Sequence, residues 1–159
     1  MDGKLQSQIK QSRPFRSPEE LLFVNLLRTA RQLLDDFDRL LRSRELTQPQ
    51  YNILRILRGA GAKGLPSGEI GERMVGRDPD VTRLLDRMEE RGLVVRNRST
   101  ADRRVVTTQL TTDGLRMVDE LDAPLLAMHT RQLGHLSPGE MDELNRLLER
   151  ARDEDRTVE

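Results

Sequence analysis

The sequence predicts a mainly α-helical fold that carries one small β-hairpin. Three observations lead there. Helix-opening caps recur along the chain. Apolar residues between the caps fall at spacings of three and four. Between residues 93 and 110 the pattern switches once to β-branched runs of period two. At 159 residues the chain has the size of one ordinary domain.

Residues 1–16 show no periodicity and are expected to form a mobile arm. Ser17-Pro18-Glu19-Glu20 supplies an N-cap, a proline at the first helical position and a carboxylate at the third, opening a helix to about residue 43. Along it Leu22, Leu26, Ala30, Leu33, Phe37, Leu40 and Leu41 keep helical spacing. Leu21, Phe23, Val24, Leu27 and Leu34 widen the apolar surface past one stripe, so this helix needs more than one partner. Thr47-Gln48-Pro49-Gln50 opens the next helix, through Tyr51, Ile53, Leu54, Ile56 and Leu57, until the glycines of residues 59–64 stop it. Ser67 is expected to cap a short helix holding Ile70 and Met74. Asp78 as N-cap and Pro79 at the first position then start a helix to about Arg91. Val81, Leu84, Leu85 and Met88 share one face of it, and Gly92 ends it as the left-handed residue.

Leu93-Val94-Val95-Arg96-Asn97-Arg98 and Arg104-Val105-Val106-Thr107-Thr108-Gln109-Leu110 read as strands of a hairpin joined by residues 99–103. Thr111 caps a helix with Leu115, Val118, Leu121 and Leu125, which Pro124 is expected to kink or split. Ser137-Pro138-Gly139-Glu140 opens a last helix before a charged tail expected to fray. Three helices followed by a two-stranded hairpin is the winged helix-turn-helix order. The terminal helices are too apolar to be satisfied within one chain, which points to a homodimer. The expected organisation is an arm (1–16), a dimerisation helix (17–46), a winged helix-turn-helix domain (47–114), C-terminal dimerisation helices (115–152) and a tail (153–159).

A formal net charge of zero, 27 Lys+Arg against 27 Asp+Glu, conceals an asymmetry. Residues 1–46 hold 9 basic and 7 acidic side chains, residues 47–114 hold 12 and 9, and residues 115–159 hold 6 and 11. The middle segment is therefore basic, and Lys63 is its one lysine among arginines, the residue suited to bidentate phosphate and guanine contacts. With no cysteine, disulfide scaffolding, thiol redox chemistry and Cys-based zinc sites are excluded. His129 and His135 stand six apart, off any shared helical face, so no metal site is expected. The longest uncharged apolar stretch, residues 21–27, is too short to span a membrane, and the polar, basic start lacks a signal-peptide core, so the expected compartment is the cytoplasm. No nucleophile motif, phosphate loop or metalloprotease motif is present, and neither enzymatic activity nor a cofactor is expected.

In a helix-turn-helix the second helix enters the major groove. Away from the apolar face, the helix after Pro79 holds Asp80, Arg83, Asp86, Arg87 and Glu90, with Thr82 on the flank. Arg83 is placed for guanine, and Asp86, three residues on, can pair with it, either blunting its readout or fixing its rotamer. Arg96 and Arg98 share one strand face, and Arg103 lies at or next to the hairpin tip, suited to a narrow minor groove. Asp102 either pairs with Arg104 or caps the turn. Double-stranded DNA is the partner these residues fit; a winged module used only for protein contacts is the alternative, which the arginines of the hairpin disfavour.

The run from Thr82 through Gly92 to Arg96, then Asp102-Arg103-Arg104, then Leu110-Thr111-Thr112-Asp113-Gly114, resembles the signature of MarR-type (multiple antibiotic resistance regulator) transcription factors. Leu46-Thr47 with Gln50-Tyr51 also matches, and the likeness covers about residues 18–150. It implies a homodimer with interlocked terminal helices and binding to a pseudo-palindromic promoter site. It places recognition-helix contacts on Asp80, Val81, Thr82 and Arg83, to which the residue pattern adds Arg87. A wing contact falls on Arg103 and a wing salt bridge on Asp102 with Arg104, while Ser67 and Arg77 are the expected contacts to the DNA backbone. Many such regulators are released by a small aromatic or phenolic anion, for which Phe37, Tyr51 and His129 are the candidate pocket residues. The lack of cysteine rules out the peroxide sensing of some relatives, and the lack of tryptophan disfavours a urate-type pocket.

Overall fold

The computed structural model describes residues 4–76, 80–98 and 106–153. The N-terminal arm carries a short helix, α1 (Lys4–Gln8), with Leu5 buried, where the sequence pattern shows no periodicity. The long α2 (Pro18–Arg42) is capped by Ser17, whose hydroxyl accepts from the Glu20 amide at 3.2 Å. Its capping box is not reciprocal: the Glu20 carboxylate accepts from the Arg16 amide at 2.6 Å, one residue upstream of the expected donor. After α2 the amides of Glu45 and Leu46 donate to the carbonyls of Arg42 and Leu41, with Glu45 at φ 53°. This Schellman closure seats Leu46 in the core.

α3 (Gln48–Ala60) opens with a full capping box between Thr47 and Gln50 and lies at the centre of the core, with Ile53, Leu54 and Leu57 almost wholly buried. A 3-10 turn (Gly61–Lys63) leads to β1 (Leu65–Pro66) and α4 (Ser67–Glu72). Ser67 is the first residue of α4 rather than its cap, Pro66 occupies the cap position, and Met74 lies beyond the helix. α5 (Val81–Glu90) starts two residues later than Pro79, because the Asp80 side chain is the N-cap, accepting from the Arg83 amide at 3.3 Å. Asp78 and Pro79 lie outside the described residues.

β2 (Val94–Arg98) and β3 (Val106–Leu110) pair antiparallel from Val94 opposite Leu110 to Arg98 opposite Val106. β1 adds to the other edge of β3, giving the order β1-β3-β2, and Pro66 is tolerated there because β1 is an edge strand. Gly64 lets this edge close: a Cβ there would stand 2.4 Å from the Thr108 carbonyl oxygen. α6 (Thr112–Leu133) runs through Pro124 without splitting. The proline removes one backbone bond, but Leu121 and Leu125 on either side are buried and hold both halves on the core. α7 (Pro138–Arg152) opens with the expected capping box. None of the described helices is long and apolar enough to cross a membrane.

The Leu-Thr-x-x-Gly segment forms the joint between α5, the hairpin and α6. Gly92, at φ 69°, closes α5 with the Leu93 amide bonded to the Met88 carbonyl. The Thr111 hydroxyl accepts from the Gly114 amide at 3.0 Å and donates to the Gly92 carbonyl at 2.6 Å, so one side chain caps α6 and ties it to the end of α5. A Cβ on Gly114 would fall 2.0 Å from the Leu93 carbonyl oxygen, a distance only glycine can accept.

Candidate nucleic-acid interface

α5 is held by its apolar stripe. Leu85 and Met88 are fully buried, and Val81 and Leu84 pack half-buried against the same core. Val81 lies against α4, where its Cγ2 would stand 3.6 Å from a Cβ placed on Gly71. The opposite side leaves Thr82, Arg83 and Arg87 exposed. The Arg83 side chain is 78% exposed although its Nε meets Asp80 at 3.1 Å. An ion pair that open to water is weak and readily exchanged for another acceptor. The partner of Arg83 is thus Asp80, the helix cap, and not Asp86.

Asp86 is taken by the hairpin. Arg96 of β2 lays its guanidinium along α5, with Nη2 2.7 Å from Asp86 Oδ1 and donating to the Thr82 carbonyl at 3.2 Å. The Arg96 amide donates to Glu89 Oε1 at 3.0 Å, and its Nε lies 3.8 Å from Glu89 Oε2. Arg96 is thus turned inward, drawn by two carboxylates of α5, while Arg98, two residues on, is exposed at the end of β2. Ser67 is half-buried at the start of α4. Arg77, Asp102, Arg103 and Arg104 lie outside the described residues. Asn97 donates to Gln109, which in turn donates to the Ala62 carbonyl at 2.6 Å, bracing the hairpin on the turn after α3.

A second feature sits on the other side of α3. A cleft of about 510 Å³ is lined by residues that include Leu34 and Phe37 of α2, Tyr51 and Arg55 of α3, and Met74. Phe37 and Tyr51 meet edge to face at 5.6 Å between ring centres. Burial pushes the Tyr51 phenol above its ordinary value, against the opposing pull of Arg55 and Arg58. His129 is not part of this cleft lining; it is exposed on α6. Arg55 joins the lining beyond the residues the sequence points to, and its place one helical turn after Tyr51 puts it on the same side of α3.

Ion pairs fasten α3 and the end of α2 to α6. Arg58 forks onto Asp122 at 2.8 and 3.0 Å and also reaches Asp119 at 3.0 Å. This contact holds the Asp122 carboxyl below its usual range and raises the Arg58 guanidinium further above its own. Arg44, just past α2, meets Glu120 of α6 at 2.7 Å, while Arg91 at the end of α5 donates to the Glu45 carbonyl in the turn after α2 at 2.6 Å.

A family model described as the MarR family matches residues 46–106. A MarR transcription factor from Planctomyces limnophilus, of known crystal structure, is 39% identical, spanning 86% of this chain and 98% of that one with a TM-score of 0.66. The PcaV transcriptional regulator of Streptomyces coelicolor, solved in complex with its natural ligand, is 29% identical over 87% of this chain and 94% of its own, with a TM-score of 0.67. The HTH-type transcriptional repressor IacR of Pseudomonas putida is 28% identical over 82% of this chain and 77% of its own.

Proposed function

Since the chain belongs to the MarR family of transcriptional regulators, we propose that it acts as a cytoplasmic homodimeric repressor that reads a pseudo-palindromic promoter site in double-stranded DNA. The observation that carries this reading is the outward face of α5, where Thr82, Arg83 and Arg87 stand exposed on a helix whose opposite stripe is locked into the core. A helix so mounted presents its first turns to base edges, and arginine is the side chain that reads guanine bidentately. Arg98 and, in the connection between β2 and β3, Arg103 supply contacts to phosphate or to the minor groove, with Ser67 and Arg77 on the backbone. Dimerisation is supported by the apolar side chains that α2 leaves in solvent, among them Leu22, Phe23, Leu26 and Leu27. Two-fold symmetry then sets the two reading helices about 34 Å apart, one turn of duplex.

The cleft beside Tyr51 supports a small aromatic anion as the releasing ligand, with Phe37 and Tyr51 against its ring and Arg55 near its charge. Tyr51 is the one tyrosine in a chain without tryptophan, so quenching of intrinsic fluorescence by benzoate reports on this cleft directly.

The DNA reading is tested by titrating promoter duplexes against wild type, Arg83→Ala and Arg103→Ala over a range of salt. Arg83→Ala loses about 1–3 kcal/mol of sequence discrimination, and Arg103→Ala weakens binding to all sequences and lowers the salt slope by about one unit. Equal and salt-insensitive binding by all three proteins overturns the assignment.

A further inference from the structure

We propose that Arg96 is a positioning residue for DNA recognition, setting the rotation of α5 about its own axis, and is not itself a DNA contact. The inference rests on the DNA-binding reading above. Thr82, Asp86 and Glu89 stand four and three residues apart and so form one stripe of α5. The main chain and guanidinium of Arg96 engage all three. That stripe is about 10 Å long. It begins at Thr82, directly before Arg83, in the part of the helix that would enter the groove.

The far end of α5 is already fixed by the Gly92 closure and the Thr111 hydroxyl. The first turn rests on the half-buried Val81 and Leu84, and Arg96 adds a restraint on its rotation from the strand. Its side chain is 23% exposed and its partners Asp86 and Glu89 are 49% and 41% exposed. The pair is therefore better shielded than the open Arg83–Asp80 pair and stronger than a surface contact. With Nη2 shared between the Asp86 carboxylate and the Thr82 carbonyl, and Nε 3.8 Å from Glu89, the guanidinium is held against α5, and its displacement toward a phosphate would expose both carboxylates to the duplex.

The two roles predict opposite signs for Asp86→Asn. If Arg96 were a phosphate contact, removing the carboxylate that holds it would free the guanidinium and tighten binding to any duplex. As a positioning residue Arg96 instead loses its hold, and the preference for the cognate site falls about tenfold while binding to other sequences stays level.

The experiment first selects the preferred duplex of the wild-type protein from a random-sequence pool. The affinity of wild type, Asp86→Asn, Arg96→Met and the double variant is then measured for that duplex and for a scrambled one across salt. The expected result is loss of preference in each single variant, no further loss in the double variant, and salt slopes within about half a unit of wild type. Tighter binding of Asp86→Asn to both duplexes, or an equal loss on both with one unit of slope removed by Arg96→Met, overturns the proposal. If Arg96→Met fails to fold, Asp86→Asn at its half-exposed position decides alone. Failure of the wild type to select any sequence would instead overturn the DNA reading, and this inference with it.

Discussion

α3 and α2 are both amphipathic helices opened by a polar cap and a proline, yet they are buried to very different degrees. α3 buries six of its 13 residues. α2, with 25 residues, buries Leu41 alone, and the 15-residue α7 buries none. The difference does not lie in the apolar pattern, since Phe23 is 61% exposed and Leu27 56% on α2. It lies in what the chain can bring to each face. α3 is surrounded by α2, α4, α5, α6 and β3 of its own chain, whereas the outer parts of α2 and α7 have no such cover among the described residues. A winged module packed within one chain is thus carried on helices that keep apolar faces open, the faces that the proposed dimer would cover.

The largest effect is expected inside the self-sufficient region. Leu54→Ala removes a fully buried side chain of α3 and should cost about 2–5 kcal/mol in urea unfolding. A loss below about 1 kcal/mol would mean that this core is not what holds the module. Next comes the incomplete region. Phe23→Asp should raise the dimer dissociation constant about 100-fold in sedimentation, about 2.8 kcal/mol, while the helical circular dichroism of the chain persists. An unchanged constant would place the dimer contact elsewhere.

The smallest effect is expected where the two regions meet. Because the Arg58 contact lowers the native pKa of Asp122, the pair stabilises the fold fully above the ordinary carboxylate value of 3.8. That contribution shrinks as pH falls below this value and is gone under the lowered native one. Asp122→Asn should therefore lower Tm slightly at neutral pH and flatten the acid limb of the Tm profile. A wild-type profile unaltered by the substitution would show that the contact contributes nothing.

Much of this was legible wherever both halves of a signal are neighbours in the chain. Thr47 with Gln50, Ser137 with Glu140, and Thr111 before Gly114 each place donor and acceptor within one helical turn. The start of α5 was harder, because Asp78-Pro79 and Asp80 are rival caps within three residues, and Asp80 is the one bonded to Arg83. β1 carries only two residues and takes its strand character from pairing with Thr107 and Thr108 some forty positions later. Alternation along β2 puts Arg96 and Arg98 on one face, but what that face packs on depends on α5. The nearby rule pairing Arg83 with Asp86 yielded to a better-shielded partner from the strand. Phe37 and Tyr51 do meet. His129 does not join them, since it sits one position past Met128, off the buried stripe of α6 marked by Val118, Leu121, Leu125 and Met128.

The joint at Thr111 and Gly114 has a mechanical consequence. With Thr111 bonded to both ends and no room for a Cβ at Gly114, α6 and the end of α5 turn as one piece, an elbow without play. α6 has 22 residues and is a rod about 33 Å long. A tilt of about 6° at one end of such a rod moves the other by about 3.4 Å, the rise of one base pair. If two chains pair as proposed, the register between their reading helices would be set by angles of a few degrees at the far ends of these rods, and a small wedge near the hinge would be enough to throw it off by a whole step.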